Sequence, residues 1–480
     1  MKLDVVIAGG TLVTAEATIR ADIGIRGQKI SAIAPDLTTR LAPGVTVIDA
    51  SKRYVIPGGI DTHVHLDLPV GGIVTADDYA SGTEMAACGG VTTLIDFATP
   101  SGNETLQQAL DNWHARAAGK ACIDYAFHMS LTNLARQARE IPSLIAQGVP
   151  TFKQYMIYAH EGLQSSDADI YHALELLRDL KGLLLVHAES PQILDMLIER
   201  HHQRAAMQAN GARLHTLSRP NVVEAEAVSR CIHWARATHG PLFFVHLSTA
   251  EAVALVREAQ ADHVPVLAET CAHYLLLDDQ VFSHPDGHLY ATCPQVKHAA
   301  DRRELWHALQ SGVLSSVSTD TCSFTRQQKA RWHGDWTRIP MGLPGLETLL
   351  PIVYTHGVLK GRLTINDFVR VCCTNPARMM GLYPRKGTLS VGADADVVIF
   401  HPTTRRRVDW RALHSQCDWN PYQGRLLAGF PEYTLSRGCV LVSGGEFVGE
   451  HGHGQFVQRA NLRRPLPPAV ATAPDESRAG

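Results

Sequence analysis

Eight apolar, strand-like runs separated by longer amphipathic stretches occupy the middle of this chain, and that alternation limits the folds open to it. The runs lie near Ile60 to His65, Thr92 to Phe97, Asp124 to Met129, Thr151 to Ile157, Leu183 to His187, Leu242 to His246, Val264 to Ala268 and Val313 to Thr319. Segments with apolar residues at helical spacing follow most of them: Asp77 to Cys88, Ile170 to Leu180, Val222 to His239, Ala250 to Gln260 and Arg302 to Gln310. Strands that are apolar on both faces need helices outside them and parallel crossovers between them. Eight such β and α units therefore predict the α/β class, a (β/α)8 TIM-like barrel.

A barrel of this kind takes roughly 250 residues, and the rest of the 480 lies at both ends. Short β-rich runs broken by turn residues fill the start (Val5-Val6-Ile7, Thr11-Leu12-Val13, Ile23-Gly24-Ile25, Lys29 to Ile33, Val45 to Ile48) and read as a small antiparallel sheet. The same texture returns at Gly387-Thr388-Leu389, Ala393 to Phe400 and Cys439 to Val442. The two ends thus predict one small β-sandwich beside the barrel. The expected division is 1–55 and 386–455 for the two parts of the sandwich, 56–385 for the barrel, and 456–480 for a flexible tail or subunit-contacting arm, rich in proline, alanine and charge from about Asn461 on.

Bulk properties narrow the function. A hydrophobic fraction of 45% with a net charge of -3 offers no electrostatic basis for binding nucleic acid or an anionic membrane. The amino terminus carries an early acid and breaks at Gly9-Gly10, and no stretch is long enough to span a bilayer. The 10 cysteines form no paired framework, which suits reduced thiols in a cytoplasm.

Functional side chains in such barrels gather at the carboxyl ends of the strands. Here strand 1 ends in His63-Val64-His65, strand 5 in His187-Ala188-Glu189, strand 6 in His246-Leu247-Ser248 and strand 8 in Thr319-Asp320. Residues i and i+2 of an extended backbone point the same way, so His63 and His65 can reach one cation together. Strand 4 adds Lys153 within an aromatic run, Thr151-Phe152-Lys153-Gln154-Tyr155. Desolvation frees a lysine's neutral amine, which can add carbon dioxide to give a carbamate, a carboxylate on a long stem. Four histidines, one bridging carboxylate and one aspartate suit two Zn²⁺-like ions roughly 3.5–4 Å apart.

The order His-x-His, Lys, His, His, Asp at these strand ends resembles the amidohydrolase superfamily. Within it, residues 1 to about 455 are similar to the dihydropyrimidinase and D-hydantoinase (phenylhydantoinase-like) family. The closer likeness is carried by Pro57-Gly58-Gly59-Ile60-Asp61-Thr62-His63, by Ser218-Arg219-Pro220 with Glu224-Ala225-Glu226-Ala227, by Glu269-Thr270-Cys271-Ala272-His273-Tyr274-Leu275, and by Gly381-Leu382-Tyr383-Pro384-Arg385-Lys386-Gly387 leading into Gly392-Ala393-Asp394-Ala395-Asp396.

The resemblance implies that His63, His65, Lys153, His187, His246 and Asp320 hold two divalent metal ions, foremost zinc, with Lys153 as N6-carboxylysine. It implies hydrolysis of the ring amide of hydantoins or dihydropyrimidines to N-carbamoyl amino acids. Asp320 would then move the proton from the attacking water to the leaving nitrogen, and Tyr158 would donate to the oxyanion. It also implies a homotetramer. The chain departs from the family in the pocket. Cys293-Pro294-Gln295-Val296-Lys297 stands where Ser-Pro-Pro-Leu-Arg is usual, Pro340-Met341-Gly342 where Pro-Asn-Gly is frequent, and Thr321 where a histidine is common. Cys293 and Met341 are still expected to bind substrate through main-chain groups. Leu66, Val70, Ile73, Phe152 and Tyr155 are expected to form a greasy wall for bulky 5-substituents. Three readings compete: dihydroorotase, an allantoinase-like ureide hydrolase, and a non-catalytic scaffold of the same fold. The acid in Leu66-Asp67-Leu68-Pro69 argues against clamping a carboxylate-bearing ring.

Overall fold

The structure is a computed structural model and describes residues 3–39 and 41–461. Eight strands form its centre: β1 (Gly59–Val64), β2 (Val91–Ala98), β3 (Asp124–Ser130), β4 (Thr151–Tyr155), β5 (Leu183–His187), β6 (Leu242–Phe244), β7 (Val266–Cys271) and β8 (Ser316–Ser318). They pair in sequence order, every neighbour parallel. The circle closes between β8 and β1 by a single parallel bridge, Val64 to Thr321, helped by a hydrogen bond from His65 N to Thr321 O at 2.8 Å.

Period-two alternation divides the strand residues between two cores. On β2, Leu94 and Ala98 join the large apolar shell between strands and helices, whereas Ile95 and Phe97 join the barrel interior with Ile60, Leu185, Phe243 and Leu267. The helices form for local reasons as well. Asp167–Leu180 is capped by Ser166, whose hydroxyl accepts from Asp169 N while the Asp169 carboxylate accepts from Ser166 N. Its Ile170, Ala173, Leu174 and Leu177 lie on one buried face. Burying each leucine contributes about 1.5–3 kcal/mol against about 1 kcal/mol for a cap, so packing fixes the helix and the cap fixes its start.

The chain ends build two further sheets. In the seven-stranded sheet, Tyr54–Pro57 lies between Thr11–Val13 and Val397–Phe400, with Tyr433–Ser436, Cys439–Ser443 and Glu446–Phe447 beyond. The four-stranded sheet is Lys29–Ala34, Asp22–Arg26, Val5–Ala8 and Thr46–Asp49. Their shared core includes Ile7, Ile23, Ile25, Val55, Val397 and Leu435. The amino-terminal sheet is mixed rather than antiparallel, because Val5–Ala8 runs parallel to Thr46–Asp49, and Thr11–Val13 parallel to Tyr54–Pro57. Gly58 alone separates the sandwich strand Tyr54–Pro57 from β1. A Cβ there would stand 2.0 Å from the Thr92 hydroxyl oxygen, so only glycine lets the chain cross.

The carboxyl end differs from expectation at residues 456–461. Phe456 bridges Tyr125 on β3, and Val457 is fully buried. That stretch belongs to the body, since its apolar side chains fill the floor of the barrel with Met379, Met380 and Leu382. The remainder of the expected tail, 462–480, lies outside the described residues.

Candidate active site

At the carboxyl ends of the strands, the structure gathers all six side chains that the sequence singled out. His63 Nε2 and His65 Nε2 lie 3.3 and 3.2 Å from Asp320 Oδ1. His187 Nδ1 lies 3.0 Å from His246 Nε2, and the His63 and His246 rings are 5.2 Å apart. Lys153 is 1% exposed, with its ammonium nitrogen 5.2 Å from the centre of the Phe97 ring and 5.0 Å from that of Tyr155.

The local backbone is unusual where it has to aim these groups. His246 and Asp320 lie just past the ends of β6 and β8 rather than on them, with φ of 42° and 48°, and Tyr158 has φ 74°. Left-handed backbone costs a non-glycine residue about 1–3 kcal/mol and persists only where the surroundings impose it. Asp61 supplies one such constraint, accepting from Thr319 Oγ1 at 2.6 Å, Thr319 N at 3.2 Å and His63 N at 3.1 Å.

Burial sets the protonation states. Desolvation, reinforced by Lys153 and neighbouring imidazoles, holds His63 and His246 well below the usual histidine range. Desolvation also lowers His187, against the pull of Glu189. These rings are therefore neutral and have lone pairs to give. Desolvation brings the Lys153 amine down to about 7 despite Asp320 and Glu269. Two buried acids orient the rings: Glu269 Oε1 is 3.0 Å from His63 Nδ1, and Glu189 Oε2 is 2.8 Å from His187 Nε2. Desolvation raises Glu269 to about 8. Glu189 is held at about 2, because Arg219, His187 and Lys297 outweigh its desolvation. Sequence reasoning did not assign roles to Glu189 and Glu269. The available signal was an acid inside an apolar strand run, which burial tolerates only with partners.

The donor chemistry fits divalent cations. The His63, His65 and Asp320 donor atoms all lie within 4.8 Å of one another. The buried His246 Nδ1 has no partner among the described residues, and His63 and His187 each turn one ring nitrogen to a buried acid and leave the other toward the site.

The pocket residues divide. Tyr158 is half-buried, its ring 5.2 Å from that of His187 and its hydroxyl beside the Cys293 thiol. Cys293 is buried, and the Tyr274 hydroxyl fixes its segment by donating to Pro294 O at 2.5 Å. Met341 is half-buried, and Gly342 N next to it donates to Ala291 O at 2.9 Å, tying the Met341 and Cys293 segments together. Leu66 and Phe152, by contrast, do not line the site. Phe152 alternates with Lys153 and so points outward into the apolar shell, and Leu66 packs on Gly82 of the helix Tyr79–Cys88. Val70 and Ile73 lie on a two-stranded hairpin, partly exposed. Asp67 is paired with Arg116 at 3.3 Å.

An amidohydrolase family model matches residues 54–420, a span that contains every one of these side chains. The chain belongs to the amidohydrolase family. Among individual relatives, this amidohydrolase is 39% identical to the D-hydantoinase of Geobacillus stearothermophilus, covering 95% of this chain and 96% of that protein. It is 36% identical to the D-phenylhydantoinase of Escherichia coli O17:K52:H18, over 97% of this chain and 99% of that one. The crystal structure of dihydropyrimidinase from Brevibacillus agri superposes with a TM-score of 0.92 at 37% identity, covering 96% of this chain and 99% of that one. Membership in the hydantoinase and dihydropyrimidinase branch follows from these matches, and the allantoinase-like and scaffold readings are not favoured. Among the described residues, no helix is long and apolar enough to cross a membrane.

Proposed function

We propose that this amidohydrolase opens the ring amide of hydantoins or dihydropyrimidines, giving N-carbamoyl amino acids. The single observation that carries the reading is Lys153. It is a buried amine on β4, brought to about 7 by desolvation, 5.2 Å from the centre of the Phe97 ring against which His63 also packs. His63, His65, His187, His246, Asp320 and a carboxylated Lys153 would hold two divalent ions, foremost zinc. When bound, those ions supply Lewis acidity toward the ring carbonyl and a water acidified for attack.

The chain's own residues do the rest. Tyr158 keeps its proton, because desolvation and the neighbouring Cys293 and Glu189 raise the phenol well above its usual range. It can therefore donate to the carbonyl oxygen as negative charge develops there. Asp320 takes the proton released by the attacking water and passes it to the ring nitrogen as the C–N bond breaks. Main-chain groups around Cys293 and Met341 hold the ring amide. Val70, Ile73 and Tyr155 remain as the apolar side of the pocket and support a preference for hydantoins with bulky 5-substituents.

The same reading extends to the rest of the molecule. It includes sandwich segments at 1–55 and 386–455 flanking a barrel at 56–385, a homotetramer, and a cytoplasmic location in keeping with unpaired cysteines. The test is metal analysis and intact-mass measurement, followed by ring-opening assays on dihydrouracil, dihydrothymine, hydantoin, 5-phenylhydantoin and allantoin. The expected result is bound metal, a mass increment of one carbon dioxide and preference for the aryl-hydantoin. Metal-free protein with unmodified Lys153 would overturn the enzyme reading, and dihydrouracil outrunning every aryl-hydantoin would overturn the substrate preference.

A further inference from the structure

The stretch 455–460 is fastened beneath the barrel by its backbone. Tyr125 N donates to Gln455 O at 3.0 Å, Val457 N to Tyr125 O at 2.8 Å, Arg459 N to Gly148 O at 3.0 Å and Ala460 N to Gly381 O at 3.0 Å. Two left-handed glycines make room for it. A Cβ at Gly148 would meet the Gln458 Cβ at 2.6 Å, and one at Gly381 the Ala460 carbonyl oxygen at 2.4 Å. Arg459 is 3% exposed. Its guanidinium turns into the barrel floor and donates to Phe127 O and, at 2.7 Å, to Thr151 Oγ1.

From Thr151 the hydrogen bonds continue to the other end of the barrel. Thr151 Oγ1 is 2.7 Å from His128 Nδ1, and His128 Nε2 is 3.0 Å from the Thr62 carbonyl oxygen. A carbonyl can only accept, so Nε2 carries the ring proton. With the ring neutral, as its place one threonine away from a guanidinium favours, Nδ1 accepts from the Thr151 hydroxyl. The Thr62 hydroxyl donates to Glu269 Oε2 at 2.6 Å, and Glu269 Oε1 is 3.0 Å from His63 Nδ1. Arg459 donates to Thr151, Thr151 to His128 and His128 to the Thr62 carbonyl; the path then passes covalently through Thr62, whose own hydroxyl donates to Glu269. Glu269 Oε1 meets His63 Nδ1 from the opposite side. With Glu269 as the carboxylate, His63 Nδ1–H donates to it and Nε2, the nitrogen that faces Asp320 at 3.3 Å, is bare for a cation.

We propose that Arg459 is a positioning residue of the active site, acting through Thr151, His128, Thr62 and Glu269 to hold His63 in its metal-binding tautomer and orientation. The inference rests on His63 being a metal ligand. It makes residues 455–460 part of the active site's support. Losing the direct partner of a ligating histidine typically changes metal affinity by about 10–100-fold, which bounds from above the effect of Arg459 acting through that partner.

Three variants test it. Thr151→Val cuts the path while keeping the side chain's shape, Arg459→Met removes its origin, and Arg459→Lys restores a cation able to donate to Thr151. The readouts are the rate of zinc loss to a chromogenic chelator and the ¹⁵N chemical shifts of His63 in metal-free protein. The expected result is zinc loss more than twofold and at most about 10–100-fold faster in Thr151→Val and Arg459→Met, partial recovery in Arg459→Lys, and His63 shifts displaced from their native values. Zinc loss in Thr151→Val within twofold of the native rate, with unchanged His63 shifts, would overturn the inference alone. A native protein that takes up no zinc would overturn the metal reading and the inference with it.

Discussion

Replacing Lys153 by methionine should make the metal-free protein more stable in mild acid and less distinctive as the pH rises. The structure brings the amine from its ordinary 10.5 to about 7 by desolvation. Between those two values the unfolded chain binds a proton that the folded one does not, so native stability rises with pH across that window and is flat below it. Below pH 7 the folded protein bears the full cost of a buried ammonium, an upper bound of about 5 kcal/mol at 1.36 kcal/mol per pH unit. Methionine has a similar length and no charge, and it escapes that cost. Urea denaturation of both apo-proteins from pH 6 to pH 9 measures the effect. The Lys153→Met advantage should be greatest at pH 6 and should shrink by about 1.4 kcal/mol per unit above pH 7. A constant difference across the range would refute the reasoning, because it would mean that the amine keeps its proton in the fold. The same shift raises the neutral amine at pH 7 from roughly one in 3,000 to about one half, and the neutral form is what carbon dioxide requires.

Further outcomes follow from single contacts. Tyr158→Phe should lower kcat by about 10²–10³ with little change in KM, and a loss under threefold would remove Tyr158 from the chemistry. Glu224, 1% exposed, accepts from Ser248 N, Ser248 Oγ, Thr249 N and Thr249 Oγ1. Glu224→Ala strands two buried N–H groups at about 1–3 kcal/mol each beside the His246 turn, so the urea midpoint and zinc retention should fall together, whereas a native midpoint would contradict the account. Gly342 has φ +146° and a Cβ there would lie 2.2 Å from the Cys322 carbonyl oxygen. Gly342→Ala should therefore raise KM by displacing Met341, with a stability loss of about 1–3 kcal/mol. Dialysis against a strong chelator should abolish ring opening, with activity returning on addition of zinc and bicarbonate together and less fully with zinc alone.

Much of the barrel was legible because its strands are buried on both faces and short, and because their carboxyl ends had to carry the chemistry. That rule sufficed for His63, His65, Lys153 and His187, which lie on β1, β4 and β5 or directly after them. It was less apt for His246 and Asp320, which sit in left-handed turns beyond the strands: His246 was reached because its expected strand was drawn too long, and Asp320 because it directly follows the expected strand 8. The greasy wall failed in part for a geometric reason. Phe152 neighbours Lys153 in sequence and therefore faces away from it, and Leu66 comes after the strand, where chain direction is set by packing on Gly82. The carboxyl stretch was misread at 456–461 because its composition is polar and proline-rich on average. A single buried Val457 and a buried Arg459 outweigh that average once the barrel floor is there to receive them.

The place where the barrel closes has one more consequence. Neighbouring strands elsewhere are joined by ladders, but β8 and β1 meet through one bridge and the side chains around Asp61 and Thr319. His63 and His65 lie on one lip of that join and Asp320 on the other. A cation shared between them would act as a cross-link in the circumference of the barrel, doing at the join what backbone hydrogen bonds do everywhere else. Emptying the site should therefore loosen the barrel at this one meridian. Amide exchange would then quicken most in β1 and β8, while β3, which carries no ligand and is laddered to both neighbours, keeps its protection.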